Sequence, residues 1–301
     1  MLRLGVIIGV IALLGTALSG LAAYRVHDQE LAIDRIALAR AIDVHASLVQ
    51  DRLTERELLA RVASGLFRAP SVIKANMLEP LRSSIYAFKT DFVVAAWIAR
   101  LRPGELPVAQ AELRQAGFPN PTIRNYDGTP LGPNIDRSLD VLMDLEPRNA
   151  ETSKLPGAAL DRQPIVGPML ARAMAEGKPV ASDPTPLLRG DGPIGIVLAA
   201  PVVPQGATAP AGFVTFSYEI GPLLLTNDDL SLFSVALKDP RNASDELVAN
   251  DQGAVTSRTR GPDDPAPSST RTVAFGNHDW SLVYYAKSNA VRRAQQTAAI
   301  V

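Results

Sequence analysis

The sequence predicts an α+β protein in which a long helical stalk precedes two strand-rich units. Three observations predict it. From Val26 to Phe67 no proline occurs and apolar residues recur near the helical period. Beyond lie short apolar runs bounded by Gly- and Pro-rich stretches, the pattern of strands. Between those runs stand short helical stretches, two of them stopped by glycine.

Composition sets the outer limits. The 301 residues suit one large or two modest domains. With 47% apolar and 20% charged residues, the chain can build a core, which excludes wholesale disorder. Lysine and arginine total 30 against 31 acidic residues, so no global basic field attracts nucleic acid, and no nucleic-acid partner is expected. Cysteine is absent, which excludes disulfides, thiolate metal sites and cysteine nucleophiles.

The elements follow in order. Residues 4–24, between Arg3 and Arg25, carry no charge. As a helix they reach about 32 Å, close to a bilayer core of roughly 30 Å. They are read as a transmembrane anchor over residues 1–25. The small residues Ser19, Gly20, Ala22 and Ala23 leave a cleaved signal peptide as the alternative. In either case residues from about 26 to 290 are exported; with the anchor retained, the chain belongs at the inner (cell) membrane. The stalk, assigned to residues 26–95, repeats Leu31, Leu38, Ile42, Val49, Leu53, Leu59, Val62 and Leu66. Such a helix either carries movement along its axis or packs on its own domain. His45 is expected on its surface.

A second helical stretch is expected over Ser71 to Arg102, with a buried strand as the alternative for Phe92 to Ile98. Val108 to Gly117 reads as a short helix, and Pro119 to Pro133 as loop and hairpin. Leu139 to Leu145 reads as a strand, and Ile165 to Glu176 as a helix that Gly177 stops. Ile194 to Val203 and Gly212 to Ile220 form the clearest antiparallel pair. Gly221 to Leu230 is expected as a short helix. Leu232–Leu237, Thr272–Phe275 and Ser281–Tyr285 are expected as strands, with Asn250 to Thr270 as a mobile loop or hairpin tip.

No motif carries catalytic chemistry. Gly190 to Gly195 spells G-x-G-x-x-G, but prolines precede it and a strand, not a helix, follows, so it is a turn. His27, His45 and His278 lack the i, i+4 pairing of a helical zinc site, and no metal or cofactor is expected. No G-x-S-x-G elbow occurs. Asp228-Asp229 and Asp263-Asp264 lie in polar segments, the usual setting of solvated loops. Asn242-Ala243-Ser244 matches the glycosylation acceptor, relevant only in a eukaryotic secretory route.

Three stretches together resemble the CHASE family of extracytoplasmic sensor domains, found in plant cytokinin receptors and in bacterial histidine kinases and cyclases. The first is Trp97-Ile98-Ala99-Arg100-Leu101, followed by Ala111 to Thr122 and Ile123-Arg124. The second is Leu145-Glu146-Pro147-Arg148-Asn149. The third runs from Leu155-Pro156-Gly157 through Ala173 to Ser182, then Leu187-Leu188 and Gly195 to Val202. The resemblance covers about residues 95–220.

It implies two tandem PAS-like units: a membrane-distal, ligand-binding unit over residues 96–220 and a membrane-proximal one over 221–290. Residues 291–301 then read as the approach to a second membrane span. In this register the aspartate that holds the purine in cytokinin receptors falls on Ala159, with Asp161 two residues on. A methyl group cannot accept a hydrogen bond from a ring N–H, so cytokinin is not the expected ligand. The expected ligand-binding residues are Ala159, Asp161, Ala181, Ala199, Phe213 and Thr215. The alanines either line a roomy apolar cavity or are small residues between packed elements.

The function implied is the sensing part of a transmembrane receptor. It binds a small molecule, works as a homodimer through the stalk, and passes a helix movement to a histidine kinase output. A cyclic-nucleotide cyclase, diguanylate cyclase or phosphodiesterase output stands as the alternative. So does an anchored binding module or enzyme with no kinase output. The residues themselves carry no catalytic set.

Overall fold

A computed structural model describes residues 2–67, 74–79, 91–119, 121–132, 135–187, 192–225, 232–241, 245–250, 253–259, 261, 264 and 266–287. The side chains of residues 2–13, 17, 30 and 31 also lie outside the description.

Helix α1 (Leu2–Leu66) is continuous for 65 residues. Its buried face is Ile42, Ala46, Val49, Leu53, Ala60 and Ala63, spaced by fours, threes and a seven. Alanine supplies half of that face, whereas Val62 and Leu66, expected in the apolar stripe, point to solvent. Small side chains let the helix lie close to the sheets. Among the described residues no helix is long and apolar enough to cross a membrane. Ten residues of the expected span, 4–13, fall outside the described side chains.

The first sheet-bearing unit, labelled distal after the expectation above and its successor proximal, begins at β1 (Phe92–Leu101), inside the stretch expected to be helical. Residues 75–78 form turns, and 68–73 and 80–90 lie outside the described residues. The apolar run becomes a strand because both its faces are buried, which erases the alternation that marks a strand in sequence. Next come α2 (Leu106–Gln115), β2 (Arg124–Asn125), β3 (Leu139–Glu146), β4 (Ala158–Ala159) and α3 (Val166–Glu176). Gly177, at φ +62°, ends α3 in the left-handed conformation that glycine adopts without steric cost. The unit closes with β5 (Val180–Ala181), β6 (Thr185–Pro186), β7 (Ile194–Val202) and β8 (Gly212–Glu219).

The eight strands form one sheet in the order β2-β4-β3-β1-β8-β7-β5, with β6 also on β7. β7 and β8 pair antiparallel from Gly195↔Glu219 to Val202↔Gly212, as expected. A register shift at Trp97/Ile98 skips Met143 of β3. It lets Met143 and Asp144 both face the stalk side with Trp97. Gly195, the last residue of the G-x-G-x-x-G string, lies in β7, where a Cβ would meet Leu187 and the Tyr218 carbonyl oxygen at 2.3–2.4 Å. Close strand packing accounts for this glycine.

A short helix α4 (Ile220–Leu224) links the units. It stops well before Leu230, because Leu225 is already extended; residues 226–231 lie outside the description. The proximal sheet consists of β9 (Phe233–Lys238), β10 (Asp245–Ala249), β11 (Val255–Thr259), β12 (Ser269–Ala274) and β13 (Asp279–Ala286). Its order is β11-β10-β9-β13-β12, antiparallel throughout. The expected strands β9, β12 and β13 are present. β10 and β11 form a further hairpin, and β11 occupies part of the stretch read as a loop. Its outward residues are polar, so no apolar signal announced it. Residues 242–244 and 288–301, the acceptor sequence and the approach to a second span, lie outside the described residues.

One core runs through both units. Trp97, Leu198, Phe216, Phe233, Trp280 and Tyr284 belong to the same buried cluster as the inner face of α1. His45 is 2% exposed, not on the stalk surface. Its Nδ1 lies 2.9 Å from the Tyr284 hydroxyl and its Nε2 2.9 Å from the Leu224 carbonyl oxygen. The carbonyl can only accept, so Nε2 carries the proton and Nδ1 accepts from Tyr284. Satisfied on both nitrogens, the imidazole serves as a polar core residue joining α1 to the proximal unit.

Candidate ligand-binding site

The distal sheet has two covered faces. One meets α1. The other meets α3, whose Met169, Leu170 and Ala173 pack on Val94, Ala96, Ile98, Leu142, Ala199 and Phe213. Cross-strand pairing explains the shape of this second face. Ala96, Thr215 and Ala199 are direct partners across β1, β8 and β7, a row of small side chains. One register on, Ile98, Phe213 and Pro201 form a bulkier row. The small row is a saddle in which α3 lies.

Three of the six expected ligand residues, Ala199, Phe213 and Thr215, meet on this face, all buried. Ala159 and Ala181 do not join them. Both belong to the core on the α1 side of the sheet. Ala159 is paired with Val141 at the β3 edge, and Ala181 with Leu198 at the opposite edge. Both behave as small residues between packed elements. The reason is strand alternation, which one-dimensional spacing from a matched glycine cannot reveal.

Asp161 follows β4 and pairs with Arg137. Close by, Arg100 Nη1 lies 3.2 Å from Asp140 Oδ1. Asp140 stands on the α3 side of β3, opposite Arg100 of β1. Burial pushes its carboxyl above the usual aspartate range; Arg100 opposes this and Asp161 reinforces it. Two carboxylates and two guanidiniums thus stand together beside the apolar saddle. They can accept from and donate to a polar ligand group, while the saddle offers apolar contact. Sequence reasoning missed Arg100, Arg137 and Asp140. One signal was available: Asp140 interrupts the apolar strand Leu139-Asp140-Val141-Leu142-Met143 at a position that faces inward.

Among the described residues, clefts also lie elsewhere. One of about 420 Å³ separates the units, between Asp183–Pro186 and the β9–β10 side of the proximal sheet. Arg241 crosses it, 2.9 Å from Asp183 and 2.7 Å from Asp239. His278 Nε2 lies 3.0 Å from Asp239. Burial would raise the Asp239 carboxyl, but donors from Arg241 and His278 outweigh it and bring it down to about 2. Another, about 670 Å³, lies between α2 and the 122–135 loop. Among the described residues no group of His, Asp and Glu could hold a metal ion.

The model of the CHASE domain matches residues 89–249, more than half of the chain. No curated protein matches the chain at a significant level. Several solved structures are loosely similar. The ligand-binding domain of the Pseudomonas aeruginosa amino acid chemoreceptor PctC, in complex with GABA, is 12% identical with a TM-score of 0.47, covering 84% of this chain and 99% of that one. That of the chemoreceptor PctB from the same organism, in complex with L-Gln, is 16% identical with a TM-score of 0.46, covering 88% and 98%. The periplasmic domain of RsbU from Chlamydia trachomatis is 10% identical with a TM-score of 0.45, covering 88% and 98%. At these scores none lends its site or ligand to this chain.

Proposed function

The chain belongs to the CHASE domain family, and from that premise we propose that it is the extracytoplasmic, small-molecule-sensing part of a membrane receptor. One observation carries the reading. The matched segment contains the whole distal sheet and α3, while the helix preceding it, α1, packs against both sheets. A ligand that changes how α3 lies on the saddle therefore acts on a body already fixed to the stalk.

The ligand seat is the α3 face of the distal sheet. Thr215 and Phe213 form its floor, and Asp161 with Asp140, Arg100 and Arg137 forms its polar rim. The face is filled by Met169, Leu170 and Ala173, so occupancy requires α3 to shift outward. Useful coupling needs a ligand that distinguishes the two positions by about 1–3 kcal/mol.

The uncharged residues 4–24 support an anchor in the membrane. The output is a histidine kinase beyond this segment, reached by movement of α1. Two copies meet along the stalk, where Val44, Leu48, Leu58 and Val62 stand exposed at spacings of four, ten and four. Leu48→Glu is expected to give a monomer in sedimentation of the full chain; an unchanged species would overturn that dimer.

The seat is tested with any compound that raises the melting temperature of the full chain. Its Kd is measured by calorimetry on the wild type, Phe213→Ala and Thr215→Val. Weakening by at least about tenfold, or 1.4 kcal/mol, is expected in Phe213→Ala, with α1 still helical by circular dichroism. An unchanged Kd in both variants would place the ligand elsewhere.

A further inference from the structure

We propose that the β12–β13 hairpin is a strut that transmits movement of α3 to the stalk helix, an inference that rests on the reading of the α3 face as the ligand seat. β12 is an edge strand of the proximal sheet, and an edge strand presents backbone N–H and C=O groups that need partners. Here α1 provides one. The Ala274 N–H donates to Gln50 Oε1 at 2.7 Å, and Gln50 Nε2 donates to the Ala274 carbonyl at 3.1 Å. A second clamp joins Arg271 to Asp43, Nη2 to Oδ1 at 2.7 Å. Asp43 and Gln50 stand about two helical turns apart, so β12 is held at two points along the stalk.

The other end of the hairpin grips the distal unit. The Gly276 carbonyl accepts from the Ala181 N–H at 3.0 Å. The Ala181 carbonyl in turn accepts from Arg172 Nη2 of α3 at 2.7 Å. Asn277 Nδ2 donates to Glu176 Oε2, in the last turn of α3, at 2.6 Å. Gly276 and Asn277 are both left-handed, at φ +61° and +56°. A Cβ on Gly276 would stand 2.3 Å from the Ala181 nitrogen, so this approach excludes a side chain.

The turn itself is stiff. The Phe275 N–H donates to the His278 carbonyl at 2.9 Å, and Trp280 Nε1 donates to the Phe275 carbonyl at 3.2 Å. Phe275 and Trp280 are both buried. A displacement of the C-terminal end of α3 is thereby delivered to Asp43 and Gln50 instead of being absorbed in the turn.

Direct packing of α1 on the distal core is the competing route, and hydrogen exchange on the full chain separates the two without any ligand. Glu176→Ala loosens the strut at α3. It should speed exchange at least about threefold in residues 274–280 and in α1 over 43–53. In an Asp43→Asn/Gln50→Ala background the same substitution should still speed the hairpin but add nothing in α1. Gly276→Ala, which pushes the turn off Ala181, should reproduce the α1 effect of Glu176→Ala. The strut is overturned if Glu176→Ala leaves α1 unchanged, or if its effect on α1 is equal in both backgrounds. Because no ligand enters, that failure would leave the proposed seat standing, and an empty seat would leave the strut standing.

Discussion

Arg56 and Asp91 form a buried, doubly hydrogen-bonded ion pair, Nε to Oδ2 and Nη2 to Oδ1 both at 2.7 Å, with each side chain 3% exposed. It joins the stalk helix to the residue just before β1, whose carbonyl also accepts from the Glu219 N–H at 2.8 Å. Helix, first strand and last strand of the distal unit thus meet at one residue, Asp91, through its carboxylate and its backbone carbonyl. Removing one partner strands the other charge in the core, which costs about 3–5 kcal/mol, whereas removing both is far milder. Arg56→Met should lose that amount in urea unfolding of the full chain, and Arg56→Met/Asp91→Leu should recover most of it. A loss below about 1 kcal/mol in the single variant would contradict the pair's role.

His45 should prove structural. His45→Leu leaves both the Leu224 carbonyl and the Tyr284 hydroxyl without this partner in the core. Each such loss costs about 1–3 kcal/mol, so a drop of about 2–6 kcal/mol is expected. Tyr284→Phe removes one hydroxyl and should cost only about 1 kcal/mol. Equal losses in the two variants would argue against a stabilising bond from Nε2 to the Leu224 carbonyl.

Stability should depend on acid through Asp239. Its folded carboxyl titrates at about 2, below the ordinary value near 3.9. The folded state thus binds fewer protons between these values. The contribution is fully present above about pH 4 and is lost as pH falls through about 2. A pair this deep in pKa contributes up to about 2.6 kcal/mol by linkage; solvent at Arg241, 41% exposed, reduces it toward about 1 kcal/mol. Asp140 and Asp144, both raised by burial, act in the opposite sense, withdrawing stability as pH rises above the ordinary aspartate value. Asp239→Asn should flatten the acid limb of a stability–pH curve. An unaltered limb would show that the Arg241 and His278 contacts do not hold the carboxyl in solution.

Much of the architecture was legible: α1 and α3 show the helical period, β7 and β8 are apolar runs bounded by Gly- and Pro-rich stretches, and Gly177 marks a helix end by its chemistry. Phe92–Leu101 stayed ambiguous between helix and strand because a strand buried on both faces loses its alternation. β11 escaped because its exposed residues are as polar as a loop's. The site was only half legible. Phe213, Thr215 and Ala199 share a face through β7–β8 pairing, which the sequence indicated. Ala159 and Ala181 fell on the opposite face, which strand alternation sets and spacing from a matched glycine does not reveal. Arg100 and Asp140 meet only through the β1–β3 register, set by a skipped Met143 that no local signal marks. His45 was misplaced for a similar reason: its partners, Leu224 and Tyr284, are 179 and 239 residues away.

The most direct measurement is the melting temperature of the full chain against a panel of small amines, carboxylates, zwitterions and purines. A sensor gains stability by mass action, about 2.7 kcal/mol at one hundred times Kd, or several degrees. At least one class should give a saturable rise that Asp161→Asn and Thr215→Val diminish. A panel with no saturable rise, or a rise identical in both variants, would contradict a ligand seat on the α3 face.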